Sequence, residues 1–334
     1  MNKIANNLLV YGFGHALVDL MSAVIVFSLL FISPVKFFGY TILYGILAFG
    51  LQAPLGLIVD RFKLVKHFAI TGLLVCLIGI FLVKDFQLIA ILFAGVGNAL
   101  FHLGGGIVSL SLKPGKASFP GLYVAPGAIG LFIGTLIGKS GNLFSILFLI
   151  ITLLVCLFIL IVKIPDYPKK NKSPKYFELI LFLLLISIFI RAFIGVSLVF
   201  EWKSNLLLVV FLVFCVFAGK SFGGILADKF GWIKIGGLSL LLSIPLLCYY
   251  NIWYLASLGL FLFNMTMPIT LVAIHNLMRE WPGFSFGLTT FALILGSIPA
   301  FFGFKIFSWT VIAFMIALSA LFLYLALKLQ RVQR

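Results

Sequence analysis

The chain has 334 residues, 63% of them hydrophobic and only 10% charged, with a formal net charge of +16. This composition excludes a soluble globular protein, which at this size needs far more polar surface. The basic excess sits in short segments between apolar runs, where it orients a membrane protein and does not bind nucleic acid.

Runs of about 20 apolar residues, the length of helix that crosses a ~30 Å hydrocarbon core, recur from end to end. The first, 5–32, is longer than a signal-peptide core and has no small-residue cleavage site ahead of a soluble domain, so it reads as a retained span. Asp19 lies near its middle, and His15 precedes it by four residues on the same helix face. An ionisable group at membrane depth costs several kcal/mol and marks function by default. A His beside a carboxylate has its charged form favoured and can carry a proton; His15 may equally be satisfied by a backbone carbonyl. The second span, 36–58, contains Gln52 and ends near Gly56, Asp60 and Arg61. After 66–83 comes 87–111, with Asn98 and His102 as cavity candidates and "LGGG" at 103–106. That glycine cluster lacks the strand-turn-helix context of a nucleotide loop. Spans at 118–138, with Gly121, Pro126 and Gly130, and at 143–164 complete a first half, 1–164.

"IPDYPKKNKSPKY", 164–176, interrupts the pattern with prolines and lysines, so 165–175 is predicted to be a cytoplasmic linker. The second half, 176–334, has spans at 176–200, 204–226, 232–250, 252–277, 284–303 and 306–328. Arg191 sits in the first of these at the depth of Asp19, and the two are expected to face one another as an ion pair, structural or functional. Lys220, Gly224, Asp228 and Lys229 end the next span, and Asn264 is a hydrogen-bonding candidate in the span 252–277, where His275 reads as interfacial. Cys76, Cys156, Cys215 and Cys248 stand alone in apolar runs, so neither a disulfide nor a metal centre is expected of them. Outside the spans, all Lys and Arg except Lys36, Lys84, Lys139, Lys203 and Lys305 fall on one side, which makes that side, and both termini, cytoplasmic.

"LGLIVDRFK" at 55–63 returns as "GGILADKFG" at 223–231, half the chain later. Gly56 aligns with Gly224, Asp60 with Asp228, Arg61 with Lys229 and Gln52 with Lys220; at a similar offset Asn98 aligns with Asn264 and Gly130 with Gly296. A six-helix duplication is a mark of secondary transporters.

The Gly-x-x-x-Asp-Arg/Lys pair resembles motif A of the major facilitator superfamily, with Lys63 standing where the first copy would have Gly. "GVGNA", 95–99, resembles the end of its motif B, with Ala90 in place of the Arg. "GLYVAPGAIG", 121–130, resembles motif C at Gly121, Pro126 and Gly130, with Ala125 and Ile129 replacing glycines. A weaker similarity, in "GHALVDL" at 14–20 and "ALFHLGGG" at 99–106, is to the fosmidomycin-resistance branch. The resemblance implies twelve transmembrane helices in two pseudo-symmetric six-helix halves. It also implies a latch in which each motif A carboxylate meets a helix N-terminus, where the macrodipole favours negative charge. Motif C is associated with exporting antiporters.

The expected function is therefore alternating-access secondary transport in the plasma membrane by a monomer without cofactor. Proton-coupled export of a small amphipathic or anionic organic compound leads, through Asp19 with Arg191, His15, His102, Asn98, Gln52, Lys220 or Asn264. Proton-coupled uptake, or export of a divalent metal held by His15, Asp19 and His102, are the alternatives. A scaffold or signalling role is the non-transport reading. No HExxH pair, carboxylate pair or Ser/His dyad points to an enzyme, and no Walker motif points to nucleotide hydrolysis.

Overall fold

The computed structural model describes residues 3–170, 174–306 and 308–332; residues 171–173 of the expected linker lie outside them. The described residues form twelve helices and no strand. They are α1 (Lys3–Ile32), α2 (Pro34–Phe62), α3 (Val65–Leu82), α4 (Gln87–Leu112), α5 (Ser118–Ser140), α6 (Ser145–Ile161), α7 (Phe177–Ser197), α8 (Leu206–Phe230), α9 (Trp232–Cys248), α10 (Trp253–His275), α11 (Pro282–Phe301) and α12 (Trp309–Val332). Ten are long and apolar enough to cross a membrane. The other two, α6 and α9, have 17 residues each. At 1.5 Å per residue each is about 26 Å long, a few ångströms short of the hydrocarbon core, a mismatch bilayers absorb by local thinning.

The connections are short. Ser33 alone separates α1 from α2, and Gly231 alone separates α8 from α9. Ser33 makes its break at φ −153°, whereas Gly231 turns with φ 99°, a conformation open to a residue without a Cβ. Lys63, at the matching point after α2, takes φ 55° without that freedom. At the other end of α8, Asn205 Oδ1 accepts a hydrogen bond from the Leu207 N–H, capping the first turn.

Two helices are broken near proline. In α2, Ile46–Gly50 forms a π-helical turn, and Pro54 has no N–H to offer the Gly50 carbonyl. In α10, the helix stops at Asn264 and resumes at Thr266, with Pro268 just beyond. The broken turn positions two threonine hydroxyls that matter below.

The chain forms two compact units. The first comprises residues 1–112, 126–167 and 281–287, so it takes in the first turn of α11. Its core is built on α4, which meets α3 at glycines: a Cβ at Gly72 would strike the backbone of Gly97 and Phe101, and one at Gly97 would strike Cys76. A stripe on α5, Gly130, Gly134 and Gly138, lies against the α1 backbone at Ala16, Leu20 and Val24. Such small-residue stripes let membrane helices approach closely where no hydrophobic drive joins them.

The second unit comprises residues 113–125, 168–280 and 288–334, and takes in the first turns of α5. Here α7 and α12 are joined by Ser187 and Ser319, each hydroxyl donating to the other residue's carbonyl at 2.9 and 3.1 Å. On the facing side Gly296 of α11 lies on the Phe189 carbonyl of α7.

Candidate transport centre and latches

Asp60 and Asp228, the repeated acids, occupy equivalent environments. Asp60 Oδ1 accepts from the Gly283 N–H and Oδ2 from the Phe284 N–H, both at 2.8 Å, in the first turn of α11. Asp228 Oδ1 accepts from the Ala117 N–H at 3.0 Å and Oδ2 from the Ser118 N–H at 2.9 Å, at the start of α5. Each carboxylate thus satisfies two of the orphan donors of a helix N-terminus and sits at its positive end. The glycines of the motif make the approach possible: a Cβ at Gly56 would strike Gly283 and Phe284, and one at Gly224 would strike Ala117 and Ser118. Arg61 and Lys229 lie over the neighbouring Phe62 and Phe230 rings, at 5.7 and 5.1 Å.

Each latch has a third donor. The Tyr167 hydroxyl donates to Asp60 Oδ1 at 2.7 Å, and the Trp232 indole donates to Asp228 Oδ1 at 3.1 Å. Burial, and then the carboxylate beside it, raise Tyr167 above the ordinary phenol range, so it remains a donor. Neither third donor was read from the sequence: Gly231 interrupts the helix between Asp228 and Trp232, and Tyr167 comes from the linker, which no helical spacing reaches.

Asp19 lies among α1 and α4 partners of the first unit. His15 Nε2 is 3.2 Å from Asp19 Oδ2, His102 Nε2 is 3.6 Å from Oδ1, and Asn98 Nδ2 donates to Oδ1 at 3.0 Å. The His15 and His102 rings meet edge to face, 4.4 Å between centroids. His15, His102 and Asn98 are all buried, while the Asp19 side chain keeps 19% exposure. One donor atom from each of His15, Asp19 and His102 lies within 4.8 Å of the others, close enough to share a single cation. Gly127 of α5 closes over this group, and a Cβ there would strike both Asp19 and His15.

The tautomer of His102 is fixed by chemistry. Its Nδ1 is 2.9 Å from the Asn98 carbonyl oxygen, which can only accept, so Nδ1 carries a proton. In the neutral ring Nε2 then aims a lone pair at the Asp19 carboxylate. With a second proton on the ring, Nε2 instead turns an N–H toward Asp19 Oδ1.

Arg191 belongs to the second unit, and the expected ion pair with Asp19 is absent among the described residues. Its Nε donates to the Ser187 carbonyl at 3.3 Å, Nη1 to the Thr266 hydroxyl and Nη2 to the Thr270 hydroxyl at 3.0 Å. The partners of Asp19 and those of Arg191 each belong to their own unit. Thr266 and Thr270 carried no sequence signal beyond their own four-residue spacing.

The remaining candidates have their own local contacts. Gln52 is buried and donates to the Ala48 carbonyl of its own helix at 2.6 Å, spanning the π-helical turn. Asn264 likewise donates to the Leu260 carbonyl at 2.8 Å. Lys220 presents its carbonyl to Gly121, as Gln52 presents its backbone to Gly287 in the other unit. Gly121 and Gly130 are thus close-approach points, and Pro126 lies inside α5 without breaking it. His275, expected at the interface, is fully buried. Cys76, Cys156, Cys215 and Cys248 are free thiols.

No protein-family model and no curated protein matches the sequence. Solved structures do. The E. coli fucose:proton symporter aligns over 99% of this chain and 98% of its own at 14% identity, with a TM-score of 0.71. A second structure of that major facilitator superfamily transporter, in the outward conformation, gives 0.68 over 97% and 99% at the same identity. A bacterial homologue of the iron transporter ferroportin, in an outward-facing state, gives 0.65 over 100% and 99%, again at 14% identity. The chain is a multi-pass membrane protein with the major facilitator superfamily fold.

Proposed function

We propose that this protein is a secondary active transporter that works by alternating access, exporting a small organic compound against proton entry. The observation that carries the reading is the pair of equivalent latches. A scaffold has no use for two carboxylates that each grip the first turn of a helix through two peptide N–H groups. A carrier does, because such contacts are charge-assisted, worth about 1.5–3 kcal/mol each, and are made or lost together. Fold similarity to the fucose:proton symporter supports secondary transport as the class.

Coupling is assigned to Asp19 with His15, His102 and Asn98. The lone pair that His102 turns toward the carboxylate creates a place for one proton, and the neighbouring His15 gives it a second position. Gly121, Pro126 and Gly130 favour export, and the asymmetry of Lys and Arg puts both termini in the cytoplasm of a cell whose plasma membrane holds the protein as a monomer.

The test is accumulation of a panel of organic compounds in cells stripped of their own exporters. Wild type is expected to lower accumulation of at least one compound, an uncoupler to restore it, and Asp19→Asn to abolish export at equal expression. The double variant Asp60→Asn, Asp228→Asn is expected to slow export by at least about tenfold, since it removes the charge from both latches. Unchanged accumulation across the panel, with no uptake in either direction, would remove the transporter reading. Uncoupler-insensitive movement of Co²⁺ instead would replace the proton as occupant of the Asp19 group.

A further inference from the structure

We infer that Arg191, held by Thr266 and Thr270, is the anchor for an anionic group of the transported compound, which makes the cargo an organic anion. The inference rests on the transporter reading and adds to it the chemical class of the cargo and the atoms that recognise it.

Arg191 is 8% exposed and sits within α7, in its second half. A buried guanidinium at membrane depth ordinarily brings its own counter-ion. None is available. The chain has eight acids: Asp60 and Asp228 are in the latches, and Asp19 is engaged with His15, His102 and Asn98. Asp85, Asp166, Glu178, Glu201 and Glu280 lie in connections or, for Glu178, in the first turn of α7. Among the described residues no carboxylate pairs with Arg191.

The partners it does have are neutral, and they orient it without compensating its charge. Thr266 and Thr270 spend their own protons on backbone carbonyls: Thr266 on Phe263 at 2.9 Å, and Thr270 on Thr266 and Met267 at 3.1 and 3.0 Å. Their oxygens are therefore free to accept only, and each takes one N–H of the guanidinium. The break in α10 at Met265 sets Thr266 at the start of a new segment, with Thr270 one turn on along the same face. Of the five N–H donors of Arg191, three are used, leaving one on each terminal nitrogen. These remaining N–H groups lie in the fixed plane of the guanidinium and can donate to the oxygens of a carboxylate or of a phosphoryl group. The arriving anion supplies the charge the site lacks.

The test is thermal stability of the purified full-length protein in detergent with benzoate, succinate or methylphosphonate, against benzamide and tetramethylammonium at equal ionic strength. At least one anion is expected to raise the melting temperature saturably, and benzamide to leave it unchanged. Arg191→Gln should abolish the shift, and Arg191→Lys should weaken the apparent affinity by about tenfold, because a point charge cannot reproduce the fork. Thr266→Val with Thr270→Val should also weaken it, while Asp19→Asn should keep it. If Arg191→Gln does not fold, the Arg191→Lys affinity decides. The inference is overturned if no anion stabilises wild type, if benzamide works as well, or if the shift persists in Arg191→Gln through surface lysines. Transport of an uncharged compound that ignores Arg191→Gln would overturn it while leaving the transporter intact; anion binding without any transport would do the reverse.

Discussion

Lys63 and Gly231 stand at the same point of the two latch copies, and both leave their helix with positive φ. The geometry is free for Gly and costs a side chain about 1–2 kcal/mol. Lys63→Gly is therefore expected to stabilise the protein by about 1 kcal/mol, read as a higher melting temperature in detergent with the latch intact. Single residues were legible where chemistry isolates them. Asp60 and Asp228 were found because the repeat returns an acid in a chain that has few, and Asp19 because no other acid lies in the middle of a span. Its partners were harder. His15 follows from helical spacing, but Asn98 and His102 reach Asp19 from another helix, and equal depth along two helices says nothing of which faces meet. Thr266 and Thr270 are ordinary residues in a membrane helix, and only the break in α10 gives them a role.

Among elements, α5 depends most on what its residues lack. Gly130, Gly134 and Gly138 bring it against the α1 backbone, and Gly127 leaves room for the Asp19 group. Gly134→Val would drive a branched side chain into Leu20 and Ala23, and overpacking of this kind costs about 1–3 kcal/mol. The expected outcome is a lower melting temperature together with loss of export, whereas a Val at Gly237, which has open space around it, should leave both unchanged. Helix positions were readable to within a few residues, since apolar run length and bilayer thickness are the same measurement. The interruptions inside α2 and α10 were not, because one extra residue in a turn leaves hydropathy untouched. The stripe on α5 was legible, because Gly130, Gly134 and Gly138 follow one another at the GxxxG spacing that lets membrane helices approach closely.

At the scale of the molecule, the sequence implied twelve spans, and the described residues form twelve helices, ten of them long and apolar enough to cross a membrane. Sidedness is a matter of charge placement, and it can be tested directly. In a cysteine-free background, an impermeant thiol reagent applied to intact cells should label Asn142→Cys, beyond α5, and should not label Lys169→Cys until the membrane is opened. The reverse pattern would invert the orientation. Cargo chemistry did not follow from the repeat, because the groups that differ between the halves, a His–Asp–His cluster in one unit and an Arg with two Thr in the other, are where the duplication has diverged. The latches carry a consequence for how such a protein changes over generations. The groups that grip Asp60 and Asp228 are main-chain N–H donors of residues 117, 118, 283 and 284, which only a proline codon removes. Drift therefore reaches each latch through its Asp codon or through the glycines that admit the carboxylate, Gly56 and Gly283 in one and Gly224 in the other.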